Sequence, residues 1–349
     1  MNCTQDYYVF PNLNETPTTG LLILNAFKSV YTPIHPFLLI TTSLFSVFSN
    51  ILILVVLSRK EMRRSGINVT MMCIATCDFG FSAVATVKTV FETDHMRGSW
   101  LFALLQISYN HSAFAFHAAS LYLAVTMALC RVMSLSFSSF WNSPRCALRL
   151  YLLVIVFSFA STSYIPFLMK ITPINDREFE VKADFAYFKN NCLFIRICQF
   201  IYAILSKAFP CLSMSILSFA LLRKMKYARK TREASKNTSK GAVKQMNRSS
   251  RLIIGVLFVC LVTETPQMIG IFFAGAFYVD YTRHVFPAIG EFSYMLALVN
   301  SSVAFVIYGT LSSSFRKMFS RIFFPKCLHA NLFQNQRVTQ VSGKTNSTP

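Results

Sequence analysis

Asp78, Lys88 and Glu264 are ionisable side chains within long apolar stretches of this chain, and Arg131 follows the end of such a stretch. A charge in such a stretch is costly to bury, so it commonly pairs with another charge, binds an ion or contacts a ligand. Asp78 is the only aspartate within these stretches, so the pair of aspartates that an intramembrane hydrolase could use for catalysis is missing. We therefore expect recognition and ion pairing rather than catalysis, with no cofactor.

The apolar stretches that position these residues are long enough to cross a bilayer as helices. The chain has 349 residues, of which 54% are hydrophobic and 14% charged, whereas a soluble domain carries about 25% charged residues. Barrel strands would be shorter and would alternate polar and apolar residues. We predict an all-α membrane protein, a seven-transmembrane helix bundle with helices over residues 33–57, 67–91, 101–130, 147–169, 193–222, 252–279 and 285–309.

The basic residues indicate how the bundle is oriented. The net charge is +20, and most lysines and arginines lie in four connections after the odd-numbered helices, at residues 59–64, 131–149, 223–251 and 316–344. The positive-inside rule places these connections in the cytosol and the N-terminus, residues 1–32, outside the plasma membrane. Such connections also contact anionic membrane lipid. Because the basic residues are split among them, we expect no nucleic-acid binding.

The residues that flank the receptor domain, 33–311, carry modification signals. Glycosylation sequons begin at Asn2 and Asn14. Cys327 opens the cytoplasmic tail, 325–349, at a depth that suits palmitoylation. No basic region followed by an apolar region occurs near the N-terminus, so we expect no cleaved signal peptide.

A short amphipathic helix is predicted over residues 312–324, on the inner membrane surface. Phe315, Met318, Phe319 and Ile322 recur there at helical spacing, with basic residues between them. The alternative is a frayed extension of the seventh helix.

The ten cysteines do not form an evident disulfide or zinc pattern. Most lie in predicted helices, where a thiol packs as a small apolar group. Cys192 lies on the outer side, where it either pairs with Cys3 or remains free. His111 and His117 are six residues apart and do not share a helical face, so we expect no metal site between them.

Six residues inside or at the ends of the predicted helices carry a resemblance: Asn50, Asp78, Arg131, Pro210, Pro266 and Tyr308. With them, residues 33–323 resemble the rhodopsin-like G-protein-coupled receptors. The chain is most similar to the nematode serpentine receptors of class w, in segments 48–51, 263–266 and 300–305, and that class resembles receptors for FMRFamide-like neuropeptides. The resemblance implies an extracellular ligand and a heterotrimeric G protein as partners, with arrestin as a further candidate. It also implies activation by an outward swing of the sixth helix.

Six residues depart from the pattern of the superfamily. Cys130 replaces the acid before Arg131, Val132 the tyrosine after it, Glu264 a tryptophan, Ala304-Phe305 an Asn-Pro pair, and Gln106 a cysteine. Because Cys130 leaves no carboxylate next to Arg131 in the sequence, we hypothesise high ligand-independent signalling.

The resemblance implies a ligand site in the outer half of the bundle, lined by aromatic side chains with a few polar groups. The candidates are Lys88, Tyr109, Phe114, His117, Tyr202, Glu264, Gln267, Met268, Glu291 and Tyr294. Ala113 stands where amine receptors carry aspartate, and Leu298 stands where opsins carry the retinal lysine. A peptide end or a small organic ligand therefore fits better than an amine or retinal.

Glu264 has three interpretations. It lies two residues before Pro266, which frees backbone groups that a polar side chain can satisfy as part of a hinge. It can instead pair with Lys88, or with a ligand cation such as that of peptides ending in Arg-Phe-amide.

Two further sets of residues follow from the resemblance. The G-protein contact is expected at Arg131, Arg223, Lys224, Arg251 and Tyr308. For Arg131 the alternative is that the side chain extends to lipid phosphates. A sodium site is implied at Asp78, Ser120, Asn300 and Ser301, and the alternative is a structural hydrogen-bond cluster without an ion.

The sequence thus favours a G-protein-coupled receptor for a neuropeptide, with a chemosensory receptor for a small molecule as the alternative of the same fold. An alternative of another class is an ion-coupled transporter or channel that uses Asp78, Lys88 and Glu264 as its path. The lack of an internal repeat and the predicted surface helix disfavour it.

Overall fold

The computed structural model of the chain describes residues 19–93, 98–136, 139–175, 178–184, 189–233 and 240–324. In this part of the chain, seven helical spans are long and apolar enough to cross a membrane. The predicted all-α bundle of seven transmembrane helices is therefore confirmed.

The described helices are α1 (Thr19–Tyr31), α2 (His35–Leu57), α3 (Gly66–Thr93), α4 (Trp100–Ser136), α5 (Pro144–Thr162), α6 (Tyr164–Phe167), α7 (Lys189–Tyr202), α8 (Phe209–Glu233), α9 (Lys240–Ala276), α10 (Tyr278–Asp280), α11 (Phe286–Leu311) and α12 (Ser313–Phe323). Two π-helical segments, Ala203–Ala208 and Tyr281–Val285, and a 3-10 segment, Ser139–Asn142, connect some of them. Spans 1 to 7 are α2, α3, α4, α5 with α6, α7 with α8, α9, and α10 with α11. We call the end of the bundle that carries α1 the outer end, and the end that carries α12 the inner end.

Local sequence explains where some spans begin and end. Pro144 occupies the first turn of α5, where its missing N–H is no loss. The preceding Ser143 caps this helix, since its side-chain oxygen accepts a hydrogen bond of 3.2 Å from the Cys146 amide. By contrast, α4 continues to Ser136 and α8 to Glu233, beyond the predicted apolar stretches, because helical hydrogen bonding does not require apolar side chains.

The outer end contains two elements that the sequence reading did not predict. One is α1, and the other is an antiparallel hairpin of β1 (Met169–Asn175) and β2 (Glu178–Ala183) between spans 4 and 5. The Phe179 amide donates a hydrogen bond of 2.6 Å to the carbonyl of Gly98, whose φ of +90° suits glycine.

Near this hairpin in the sequence, Cys192 is disulfide-bonded and the other described cysteines are free, so the alternative of a free Cys192 is wrong.

The tightest packing lies in the inner half of the bundle. Ile53, Met71, Met127 and Leu257, from spans 1, 2, 3 and 6, have no exposed side-chain surface and belong to one cluster. Many other large apolar side chains point outward from the bundle, as lipid contact requires.

Small polar side chains join spans 1, 2 and 7. Ser82 Oγ donates to Ser46 Oγ at 2.6 Å, and Ser46 Oγ lies 2.8 Å from Ser301 Oγ. Asn50 Nδ2 donates to the Ser301 carbonyl at 3.0 Å. Because serines are short, these three helices approach closely at this level.

The surface helix, α12, is confirmed as a separate element. Ser312 has an extended backbone, with φ of −97° and ψ of 107°, and its hydroxyl caps the helix by accepting from the Phe315 amide at 3.2 Å. Phe315 and Met318 are buried against the bundle. The alternative of a frayed extension of span 7 is therefore wrong, because the chain turns at Ser312.

Candidate functional site

A buried group of polar side chains connects spans 3, 5 and 6, and its centre is an ion pair. The Lys207 ammonium of span 5 lies 2.5 Å from Glu264 Oε2 of span 6. Nε2 of His117, in span 3, lies 3.0 Å from Lys207 Nζ and 3.2 Å from Glu264 Oε2. Lys207 also donates to Gln267 Oε1 at 3.0 Å. We call these four residues the polar cluster.

The polar cluster is shielded from solvent. Glu264 has 0% of its surface exposed, Lys207 2% and His117 6%. Buried charges must be compensated by charges or hydrogen bonds nearby. The lysine and glutamate charges cancel here, and Asn300 Nδ2 of span 7 lies 3.5 Å from the second carboxylate oxygen, Glu264 Oε1.

His117 can take only one role in the polar cluster at a time. A single ring nitrogen either accepts a hydrogen bond from the Lys207 ammonium or donates one to the Glu264 carboxylate. The position of the ring proton therefore selects between the two partners.

Helix irregularities position both charges. Lys207 belongs to the π-helical segment Ala203–Ala208, which directly precedes Pro210 in α8. Glu264 lies two residues before Pro266, which is inside α9. Wide turns and prolines bend helices and change the face that a side chain occupies, and they are frequent at functional sites.

The polar cluster corrects one sequence-based interpretation and adds a missing residue. Glu264 pairs with Lys207, whereas the predicted Glu264–Lys88 pair is not formed because Lys88 lies at the outer end. Lys207 is a site residue that the sequence analysis does not include. A lysine within the apolar stretch 193–222 is as costly to bury as Asp78, Lys88 or Glu264, so it was recognisable by the same criterion.

A second group at the outer end surrounds Lys88. Its ammonium lies over the rings of Tyr109 and Tyr294, 5.5 Å and 5.9 Å from their centroids. Aromatic faces attract cations at such distances. We call these three residues the outer aromatic group.

Phe81 connects the outer aromatic group with the polar cluster. The ring of Phe81 is 5.5 Å from that of Tyr294 and 5.2 Å from the imidazole of His117. Phe81 is buried in span 2. One ring therefore contacts both groups.

The N-terminal helix, α1, packs beside the outer aromatic group. Tyr31 contacts the ring of Phe292 edge-on at 5.6 Å, and its hydroxyl lies 3.0 Å from His35 Nδ1. Burial raises the pKa of the Tyr31 phenol, and the negative charge of Glu291 raises it further. The exposed Glu291 thus lies near enough to act electrostatically on α1.

The remaining ligand candidates are Phe114, Tyr202 and Met268. Phe114 and Tyr202 form an edge-to-face pair at 5.8 Å, with Tyr202 buried and Phe114 exposed. Met268 packs on the core of the inner half.

A small cavity of about 10 Å³ adjoins Asp78, close to the space that one water occupies. Asp78, Ser120 and Asn300 all line it. Ser301 does not line the cavity and instead contacts the serines of spans 1 and 2. Three of the four predicted sodium ligands therefore come together, while the fourth is directed elsewhere.

The candidates for G-protein contact lie at the inner end. Arg131 is 9% exposed, and Tyr308 is buried with its ring 5.7 Å from that of Phe315. The Arg223 guanidinium lies 4.6 Å from the ring of Phe219.

Three predicted features lie outside the described part of the chain, and a fourth residue lies within it but has no described side chain. The side chain of Arg251 is not described, and Asn2, Asn14 and Cys327 lie outside the described residues. Lys224 is described and is partly exposed near the inner end of span 5.

Two relatives from Caenorhabditis elegans resemble the chain over most of its length. The G-protein coupled receptor dmsr-1 is 23% identical, with 93% of this chain and 76% of the relative aligned. Sex peptide receptor-related protein 2 is 25% identical, with 99% of this chain and 80% of the relative aligned. Residues 37–326 match the family described as serpentine type 7TM GPCR chemoreceptor Srw. The chain is thus a multi-pass membrane protein that belongs to the Srw family of serpentine G-protein-coupled receptors.

Proposed function

We propose that this receptor lies in the plasma membrane with its N-terminus outside and its C-terminus in the cytosol, binds an extracellular peptide and activates a heterotrimeric G protein. The orientation is supported by the basic residues of the connections after the odd-numbered spans. A peptide ligand is supported by the similarity to a relative named for a sex peptide receptor.

The observation that carries this proposal is the run of contacts from the outer end to the polar cluster. Lys88 contacts Tyr294, Tyr294 contacts Phe81, and Phe81 contacts His117. A ligand at the outer aromatic group would therefore touch side chains that are packed, through Phe81, against residues of spans 3, 5 and 6.

The outer end offers groups that suit a peptide. Lys88 can bind a carboxylate or a carbonyl oxygen, Glu291 can bind a cation, and Tyr109 and Tyr294 provide aromatic surface. Glu264 exposes no surface, so a ligand cation would reach it only after Lys207 had moved.

A ligand shifts the receptor towards signalling only through its different affinities for the closed and the open arrangements. At the inner end, opening would expose Arg131 and Tyr308 to the G protein. The basic residues Arg223, Lys224 and Arg251 would contact the same partner or membrane lipid, and arrestin is a further candidate for this surface.

The test is a G-protein activation assay in transfected cells, with amidated peptides ending in Arg-Phe beside a panel of small odorants. We expect a response to a peptide, absent in cells that lack G proteins. Lys88→Met and Glu291→Gln should each raise the half-maximal concentration by about tenfold, because a contact to a charged group contributes about 1.5 kcal/mol. A receptor at the cell surface that answers no peptide contradicts the proposal.

A chemosensory receptor for a small molecule is the second candidate, which the description of the matched family favours. In the same assay it would answer odorants and no peptide.

A further inference from the structure

The inner half of the bundle is closed in this structure. Leu221 of span 5 and Ile253 and Leu257 of span 6 have no exposed side-chain surface, and Met127 of span 3 is equally buried. Opening this end requires span 6 to leave side chains that it now contacts.

The Lys207–Glu264 pair connects span 6 to span 5 near the middle of the bundle. Gln267, one helical turn from Glu264, accepts a hydrogen bond from Lys207, so two consecutive turns of span 6 are held by one ammonium group. His117 of span 3 lies within hydrogen-bond distance of both charges and bonds to one of them at a time. Pro266 lies between Glu264 and Gln267, so these contacts occur where a proline interrupts the hydrogen bonding of the helix.

Separating these charges in a dry environment is costly, because neither finds water to replace its partner. A rotation or outward movement of span 6 at Pro266 would carry Glu264 and Gln267 away from Lys207. The closed arrangement therefore gains a charge-assisted contact that the open arrangement would weaken.

We propose that the Lys207–Glu264 ion pair is a lock that holds span 6 against spans 3 and 5, and that activation releases it. The inference rests on the proposed receptor function, since the lock opposes the movement that admits a G protein.

The test uses the neutral pair Lys207→Met/Glu264→Gln, which removes both charges together and leaves none unpaired in the core. Its matched control is Glu180→Gln/Lys182→Met, which makes the same substitutions in an exposed ion pair of β2. Both full-length receptors are compared with the parent chain at equal surface expression, without ligand.

Two readouts are measured. The first is ligand-independent G-protein activation. The second is the rate at which a charged thiol reagent labels Gly255→Cys in each purified receptor. A Cβ at Gly255 would lie 3.8 Å from side-chain atoms of Ile307 and Leu311, so cysteine fits between spans 6 and 7. Labelling of the native cysteines is subtracted by using the same variants with Gly255 intact.

We expect both readouts to rise by about fivefold or more in the neutral pair, and to stay at the parental level in the control, since conformational couplings commonly have this size. Gln267→Leu, which removes one contact of Lys207 and keeps both charges, should give a smaller rise. Parental values of both readouts in the neutral pair and in Gln267→Leu would overturn the lock.

The labelling readout separates the lock from the receptor function. Faster labelling of the neutral pair in a receptor that activates no G protein supports the lock and contradicts the proposed function. Signalling by the parent chain with unchanged labelling and basal activity in the neutral pair supports the function and contradicts the lock.

Discussion

Lys207 Nζ lies 2.5 Å from Glu264 Oε2, and this contact joins span 5 to span 6. Both side chains are almost completely buried. Pairs of this kind define which arrangement of helices is adopted more than they add net stability. We therefore expect the removal of one charge and the removal of both charges to affect stability differently.

Removing one partner alone should destabilise the receptor strongly. Lys207→Met leaves the Glu264 carboxylate buried without its cation, at a cost of about 3 to 5 kcal/mol in unfolding free energy. Lys207→Met/Glu264→Gln should recover most of this loss. Thermal unfolding of the detergent-solubilised parent, single variant and double variant measures these changes in stability. A Lys207→Met receptor that is as stable as the parent would show that the pair contributes little.

Phe81 should transmit the effect of the ligand. Phe81→Leu removes the ring that contacts both Tyr294 and His117. We expect agonist potency to fall by about twofold to thirtyfold, as for other residues that couple two sites. Concentration–response curves at equal surface expression measure the change. Phe159→Leu, which removes a ring that contacts His111 and Phe116 instead, serves as control. Equal losses in both variants would indicate general loss of packing.

A carboxylate before Arg131 should lower ligand-independent signalling. Cys130→Asp places a negative charge next to the guanidinium at the inner end of span 3, where it should favour the closed arrangement. We expect basal G-protein activation to fall by about fivefold, at the lower end of typical couplings. Cys130→Ser changes polarity without adding charge and should retain the parental signal. An unchanged signal in Cys130→Asp would contradict the hypothesis.

Sodium should act through Asp78. The cavity beside this carboxylate is about the size of one water molecule, and Ser120 and Asn300 line it. We expect sodium to lower agonist affinity in the parent chain and to have no effect in Asp78→Asn, as radioligand binding at varied sodium and constant ionic strength would measure. Ser301→Ala should keep the sodium effect, because Ser301 bonds to Ser46 and Ser82 outside the cavity. The absence of a sodium effect in the parent chain would support the alternative of a structural hydrogen-bond cluster, and an effect that persists in Asp78→Asn would contradict a role of Asp78 in sodium binding.

Some of the candidate site could be read from residue type and spacing. Asp78 and Glu264 are predicted site residues because a carboxylate in an apolar stretch is costly to bury. Both are buried in the bundle. The partner of Glu264 could not be read in this way. Lys88 and Lys207 are equally charged in the sequence, and only the relative heights of spans 2, 5 and 6 determine which ammonium reaches the carboxylate.

The seven spans, the surface helix and the receptor family follow from the sequence alone, because apolar length, helical periodicity and motif residues are local properties of the chain. Which polar residues meet depends on how the helices pack against one another. Lys207 lies in the π-helical segment Ala203–Ala208 of span 5, and Glu264 lies two residues before Pro266 in span 6. Side-chain direction at such irregular turns depends on packing between helices, which no periodicity in the sequence records.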